Sequence, residues 1–166
     1  MMKLVNTRVQ SGTADRIFMI IRVLLTVSPF IALGYLSMDA AKEGAGGNIQ
    51  AVISSNPSAA VMFIVAMLNP FIAYLLGFIK DHLHDGDYDY AVSNMFLMII
   101  AELMIQNFIY VLMLMFLTYK CVRTYQIPVK GIVKRMAGNH LLRDISGSLV
   151  VLAFAGICMF AMLRLG

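Results

Sequence analysis

Charge is scarce in this chain. Only 13% of its 166 residues are Asp, Glu, Lys or Arg, tryptophan is absent, and prolines number four and cysteines two. Soluble domains carry about 25% charged and roughly 45–50% apolar residues. Here 60% are hydrophobic and the mean hydropathy is +0.81. A water-soluble fold of this size cannot hide that much apolar side chain, because a small domain leaves much of its surface facing solvent. Cys121 and Cys158 lie at the end of one apolar stretch and inside another. Nothing requires them to pair, and their spacing is not that of a metal site.

Other absences narrow the field further. The polar–apolar alternation that spanning strands need is missing, because the apolar runs are continuous. There is no phosphate-cradling loop, nucleotide fingerprint, internal repeat or low-complexity tract. A single carboxylate, Glu102, falls within an apolar stretch, so the paired carboxylates that membrane enzymes use are not available there. The chain reads as non-enzymatic, with no cofactor. Its net charge of +4 does not indicate nucleic acid, since the basic residues flank apolar runs and match lipid headgroups instead. Fourteen methionines are read as flexible packing side chains rather than copper ligands.

What remains is hydrocarbon chemistry. Four apolar stretches, at 17–36, 59–79, 95–119 and 146–163, are each close to the roughly 20 helical residues that cross about 30 Å. The expected fold is an all-α, integral membrane bundle of about four transmembrane helices in one domain. The first stretch is too long for a signal-peptide core and lacks a following cleavage site, so it reads as a retained anchor. Residues 37–58, with Gly44, Gly46, Gly47, Asn56 and Pro57, read as a flexible exposed loop. The segment 1–16 is basic and reads as a weak interfacial segment. In the basic loop 120–144, Val129, Ile132, Val133, Met136 and Leu141 follow helical spacing, with Lys130, Lys134 and Arg135 largely away from them. That pattern predicts an amphipathic interfacial helix between the third and fourth spans. Lys130, Lys134, Arg135 and Arg143 are its expected contacts to lipid phosphate or a partner.

The positive-inside rule pulls both the basic N-terminus and the basic loop to the cytoplasm. Four ordinary crossings would put them on opposite sides. Either the second stretch turns back at Asn69-Pro70, where proline removes a backbone donor, or the N-terminus lies outside. Four true crossings are preferred, with Pro29 and Asn69-Pro70 as helix kinks.

Few residues carry candidate chemistry. Glu102 in an apolar helix costs several kcal/mol or takes up a proton. Gln106 lies four residues on, with Asn107 beside it, and Arg22 is an available counter-charge. The functional reading is a proton or cation path; the bland one is an interhelical polar contact. His82, His84 and Asp85 in the acidic turn 80–90 are weak metal candidates, because the calcium-loop pattern fails at Tyr90 and Phe96. Small residues in the fourth stretch, among them Gly147, Ser148 and Gly156, predict close helix packing. The chain therefore reads as a multi-pass subunit of a larger membrane assembly of transport or secretion type, in a bacterial cytoplasmic membrane. Its partners would be lipid and other subunits or copies of itself. The alternative is a small homo-oligomeric channel or carrier lined by Glu102, Gln106 and Asn107.

Overall fold

The computed structural model describes residues 2–42, 48–127 and 145–165, with side chains from Gly12 onward and to Arg164. The expected interfacial helix at 128–144, with Lys130, Lys134, Arg135 and Arg143, lies outside the described residues. Six helices are described: α1 (Met2–Lys42), α2 (Ile49–Ser55), α3 (Pro57–His84), α4 (Tyr88–Met104), α5 (Phe108–Tyr125) and α6 (Ser146–Leu165). No strand occurs among the described residues. Four of the helices, α1, α3, α5 and α6, are long and apolar enough to cross a membrane.

Helices α1 and α3 run antiparallel. Asp15 reaches Lys80 (3.5 Å) and His84 (3.2 Å), Arg22 donates to the Ala73 carbonyl (3.1 Å), and Asn69 donates to Ser28 (2.7 Å). Neither proline ends its helix. Pro29 sits inside α1 and Pro70 inside α3, so the chain does not turn back at Asn69-Pro70. Lipid-embedded helices tolerate proline where a neighbour supplies polar contacts. The Asn69–Ser28 hydrogen bond provides one beside both rings. The backbone of 1–16 from Met2 onward continues the first span rather than forming a separate segment.

At the far end of this pair, part of the loop expected at 37–58 is helix. Asn48 caps α2 through its side chain and Asn56 caps α3, with Pro57 at the first helical position. Val52 is buried with Leu36, Ala40 and Ala59, with Ile49 and Ile53 alongside. Those three α2 side chains follow the spacing that puts residues on one helical face.

The stretch 95–119 is not one helix, and here the expectation is corrected. The chain turns at Ile105–Asn107, and α4 and α5 form an antiparallel hairpin. Met95 accepts from Thr118 (3.5 Å), and the rings of Tyr88 and Tyr125 lie 5.9 Å apart. The turn is closed by two backbone bonds, Gln106 N–H to the Leu103 carbonyl (3.1 Å) and Asn107 N–H to the Glu102 carbonyl (3.0 Å). This is the Schellman pattern, which needs a left-handed residue at its pivot, and Gln106 has φ 58°. Ile105 is buried in the core and ties the bend to the bundle. Helix α6 runs alongside α4 in the same direction: Ser148 donates to Asn94 (2.6 Å), and Met104 Cε stands 3.6 Å from where a Cβ on Gly156 would lie. The shared core contains Leu25, Ile72, Leu76, Met95, Met98, Leu114 and Leu117. Cys121 and Cys158 are buried free thiols.

A second left-handed glutamine, Gln126 (φ 51°), ends α5 with the Ile127 N–H donating to the Val122 carbonyl (3.1 Å). An L side chain in this conformation costs about 1–2 kcal/mol that glycine does not incur. Because the Gln126 side chain is exposed, Gln126→Gly is expected to raise unfolding stability in detergent by about 1 kcal/mol. Gln126→Val is expected to lower it, and denaturant titration of both variants reads the sign.

Candidate functional site

Exposed apolar side chains mark the depth at which the bundle meets lipid. On α1 they run from Met19 to Met38, which at 1.5 Å per residue is about 29 Å and equals a hydrocarbon core. On α6 they run from Leu149 to Leu163, with Gly156 at their centre. The tip of the hairpin sits against that centre, since Met104 meets Gly156 and the Tyr110 hydroxyl donates to the Leu24 carbonyl (3.4 Å). On α5 the exposed apolar side chains run from Phe108 to Tyr119, about 17 Å, or little more than half the belt. The turn Ile105–Asn107 is therefore level with the middle of the exposed apolar run of α6, and both hairpin limbs open toward the end of the bundle that holds Asp15 and His84.

Three of the polar residues singled out in the sequence gather at this turn, but on different surfaces. Glu102 is 0% exposed, and neither carboxyl oxygen has a hydrogen-bond partner. The Asn107 side chain faces that carboxyl without reaching hydrogen-bond geometry. Asn107 is half-buried and begins α5 without a side-chain cap, and Gln106 is exposed. The helical i, i+4 relation expected between Glu102 and Gln106 is lost because the helix ends between them. A buried orphan carboxyl in α4 thus lies next to an exposed amide at the same depth.

Arg22 is not the counter-charge of Glu102. Its guanidinium lies against α3, where Gly77 leaves room for it: Nη2 is 3.1 Å from where a Gly77 Cβ would stand. Among the described residues neither Arg22 nor Glu102 forms an ion pair. Two interhelical polar pairs were not foreseen from sequence, Asn69–Ser28 and Ser148–Asn94. Both Asn69 and Asn94 stand at the margins of read features, one before Pro70 and the other before the apolar run at Met95. Such contacts hold helices together in lipid for about 0.6–2 kcal/mol each.

The acidic turn disperses its candidate ligands. His82 Nδ1 lies 2.9 Å from the Phe78 carbonyl, and its ring stacks on Tyr90 at 3.9 Å. His84 turns to Asp15, while Asp85 caps α3 through its backbone. Among the described residues no three His, Cys, Asp or Glu side chains come together as a metal site.

The basic residues are unevenly shared between the two ends. Arg16, Lys80, Lys120 and Arg123 lie at the end holding the hairpin limbs, and the segment joining α5 to α6 leaves and returns there. Lys42 and Arg164 are the basic side chains described at the other end. Comparison with protein-family models, curated proteins and solved structures finds no match to this all-helical membrane chain.

Proposed function

We propose that the chain is a non-enzymatic, multi-pass subunit of a larger membrane assembly of transport or secretion type, in which a neighbouring subunit covers the turn at Ile105–Asn107. The observation that carries this reading is the exposure of Gln106, on irregular backbone, level with the middle of the exposed apolar run of α6. Irregular backbone at membrane depth persists only where protein or a water-filled cavity surrounds it, because lipid tails satisfy no polar group. The transport assignment is supported by the same element. Discontinuous helices that start near mid-membrane, as α5 does, are the parts from which transporters build polar sites.

In this reading α1, α3 and α6 cross the bilayer and α4–α5 enters to half depth. The N-terminus and the basic loop then share one face, which removes the conflict with the positive-inside rule. That face is cytoplasmic, and the proposed location is a bacterial cytoplasmic membrane. The covering partner is a different membrane protein or a copy of this chain, with no role for nucleic acid.

A photo-crosslinker at Gln106 tests the proposal against one at Ile31, an exposed apolar position on α1. The expected result is a protein adduct from position 106 and only lipid adducts from position 31. Particle mass in mild detergent is expected to exceed the 18.4 kDa of one chain after detergent is subtracted. A single-chain mass, together with lipid adducts from both positions, would overturn it.

A further inference from the structure

A groove of about 590 Å³ lies beside α1 and reaches Lys80 of α3. Its lining includes Asp15, Arg16 and Lys80 at the rim of the apolar belt and Arg22 deeper, level with Met19 and Val23. We infer that this groove is a binding site for an anionic phospholipid of the leaflet on the N-terminal side, with the phosphate between Arg16 and Arg22 and an acyl chain along α1.

Three independent features point to this occupant. The first is depth. Arg22 lies between Met19 and Val23, which are exposed residues of the lipid-facing belt, whereas Arg16 and Lys80 sit at its rim. The groove thus passes from charged to apolar at the level where a headgroup meets its chains. The second is unmet charge. The carboxylate in the groove, Asp15, is engaged by Lys80 and His84, which leaves Arg16 and Arg22 without an ion pair among the described residues. A cation at this depth requires an anion or a route to the interface. The third is a prepared geometry. The Arg22 Nε is tied to the Ala73 carbonyl and the guanidinium lies over Gly77, so its orientation is fixed along α3. A planar guanidinium held this way suits a phosphate through paired N–H donors.

Native mass spectrometry of the full chain in mild detergent tests the inference, with phosphatidylglycerol and phosphatidylcholine as competing ligands. Phosphatidylglycerol is expected to be retained preferentially. Removing one arginine is expected to weaken that retention about fivefold, as the loss of one basic contact near an anionic headgroup implies. Arg22→Gln and Arg16→Gln are the variants. Arg16 is exposed and makes no described contact, so Arg16→Gln decides the matter if Arg22→Gln fails to fold. A variant carrying Lys130→Gln, Lys134→Gln and Arg135→Gln is expected to keep the preference. Equal retention of the two lipids, loss only in the loop variant, or displacement by inorganic phosphate at the same concentration as the lipid overturns the site.

Discussion

Cysteines introduced as Asp85→Cys and Lys134→Cys are expected to react with a membrane-impermeant maleimide from the same face of the membrane, and Gln50→Cys from the opposite face. The effect is all-or-none, which makes it the sharpest test of the architecture. Four consecutive crossings would separate positions 85 and 134, because a spanning helix over 95–119 would carry the chain across between them. The hairpin returns it instead, since Tyr88 at the start of α4 and Tyr125 at the end of α5 are neighbours. Cys121 and Cys158 are replaced by alanine first, although both are buried. Labelling of 85 and 134 from opposite faces would refute the half-depth hairpin and with it the reason for a covering partner at Gln106.

Glu102→Leu is expected to stabilise the isolated chain. Both oxygens of this carboxyl are enclosed by protein without a hydrogen-bond partner, and a buried polar group in that state costs about 1–3 kcal/mol, more when charged. Replacing such a group by an apolar side chain of similar volume is commonly neutral or stabilising. Unfolding in mixed micelles should therefore shift toward higher denaturant by about 1–3 kcal/mol for Glu102→Leu, and by less for Glu102→Gln, which keeps polar atoms to satisfy. The same variants separate the assembly from the channel. If Glu102 carries ions through a self-assembled path, Glu102→Gln abolishes flux into liposomes. If the assembly reading holds, there is no flux from the isolated chain to abolish. A loss of stability in Glu102→Leu comparable to the predicted gain would mean that the carboxyl has a partner in the membrane.

Much of the architecture is legible in the residues. Continuous apolar runs at 17–36, 59–79 and 146–163 fall within α1, α3 and α6, because their length and composition leave no other way to satisfy the backbone in lipid. The break at Ile105–Asn107 is not legible, for a physical reason. It contains neither glycine nor proline, and a left-handed glutamine is specified by the packing of Ile105 and the limbs on either side, not by local preference. Proline is the converse case. Pro70 offers a turn as one reading, but the preferred one, a helix that continues through it, is what α3 shows, with Asn69 reaching across to Ser28. The polar cluster itself was visible as Glu102, Gln106 and Asn107. Its geometry was not, since assigning a common face to Glu102 and Gln106 assumes a helix that ends between them. Helix α2 shows a further limit: Asn48, Ile49, Val52, Ile53 and Asn56 carry capping and spacing signals, but neighbouring glycines outweigh them in composition.

The fastening of α1 to α3 has a consequence for how the molecule is put together. The two helices are clasped at four levels, by Asp15 with Lys80 and His84, by Arg22 with the Ala73 carbonyl, by Ser28 with Asn69, and by the small apolar cluster beneath α2. Every one of these clasps is complete once residue 84 has been synthesised. A ribosome still making the hairpin would therefore already hold a finished post in the bilayer, against which the later helices can be laid. The hairpin tip is held on one side by the Tyr110 hydroxyl on the Leu24 carbonyl and on the other by Met104 against Gly156, so its seat is completed only when α6 has followed it.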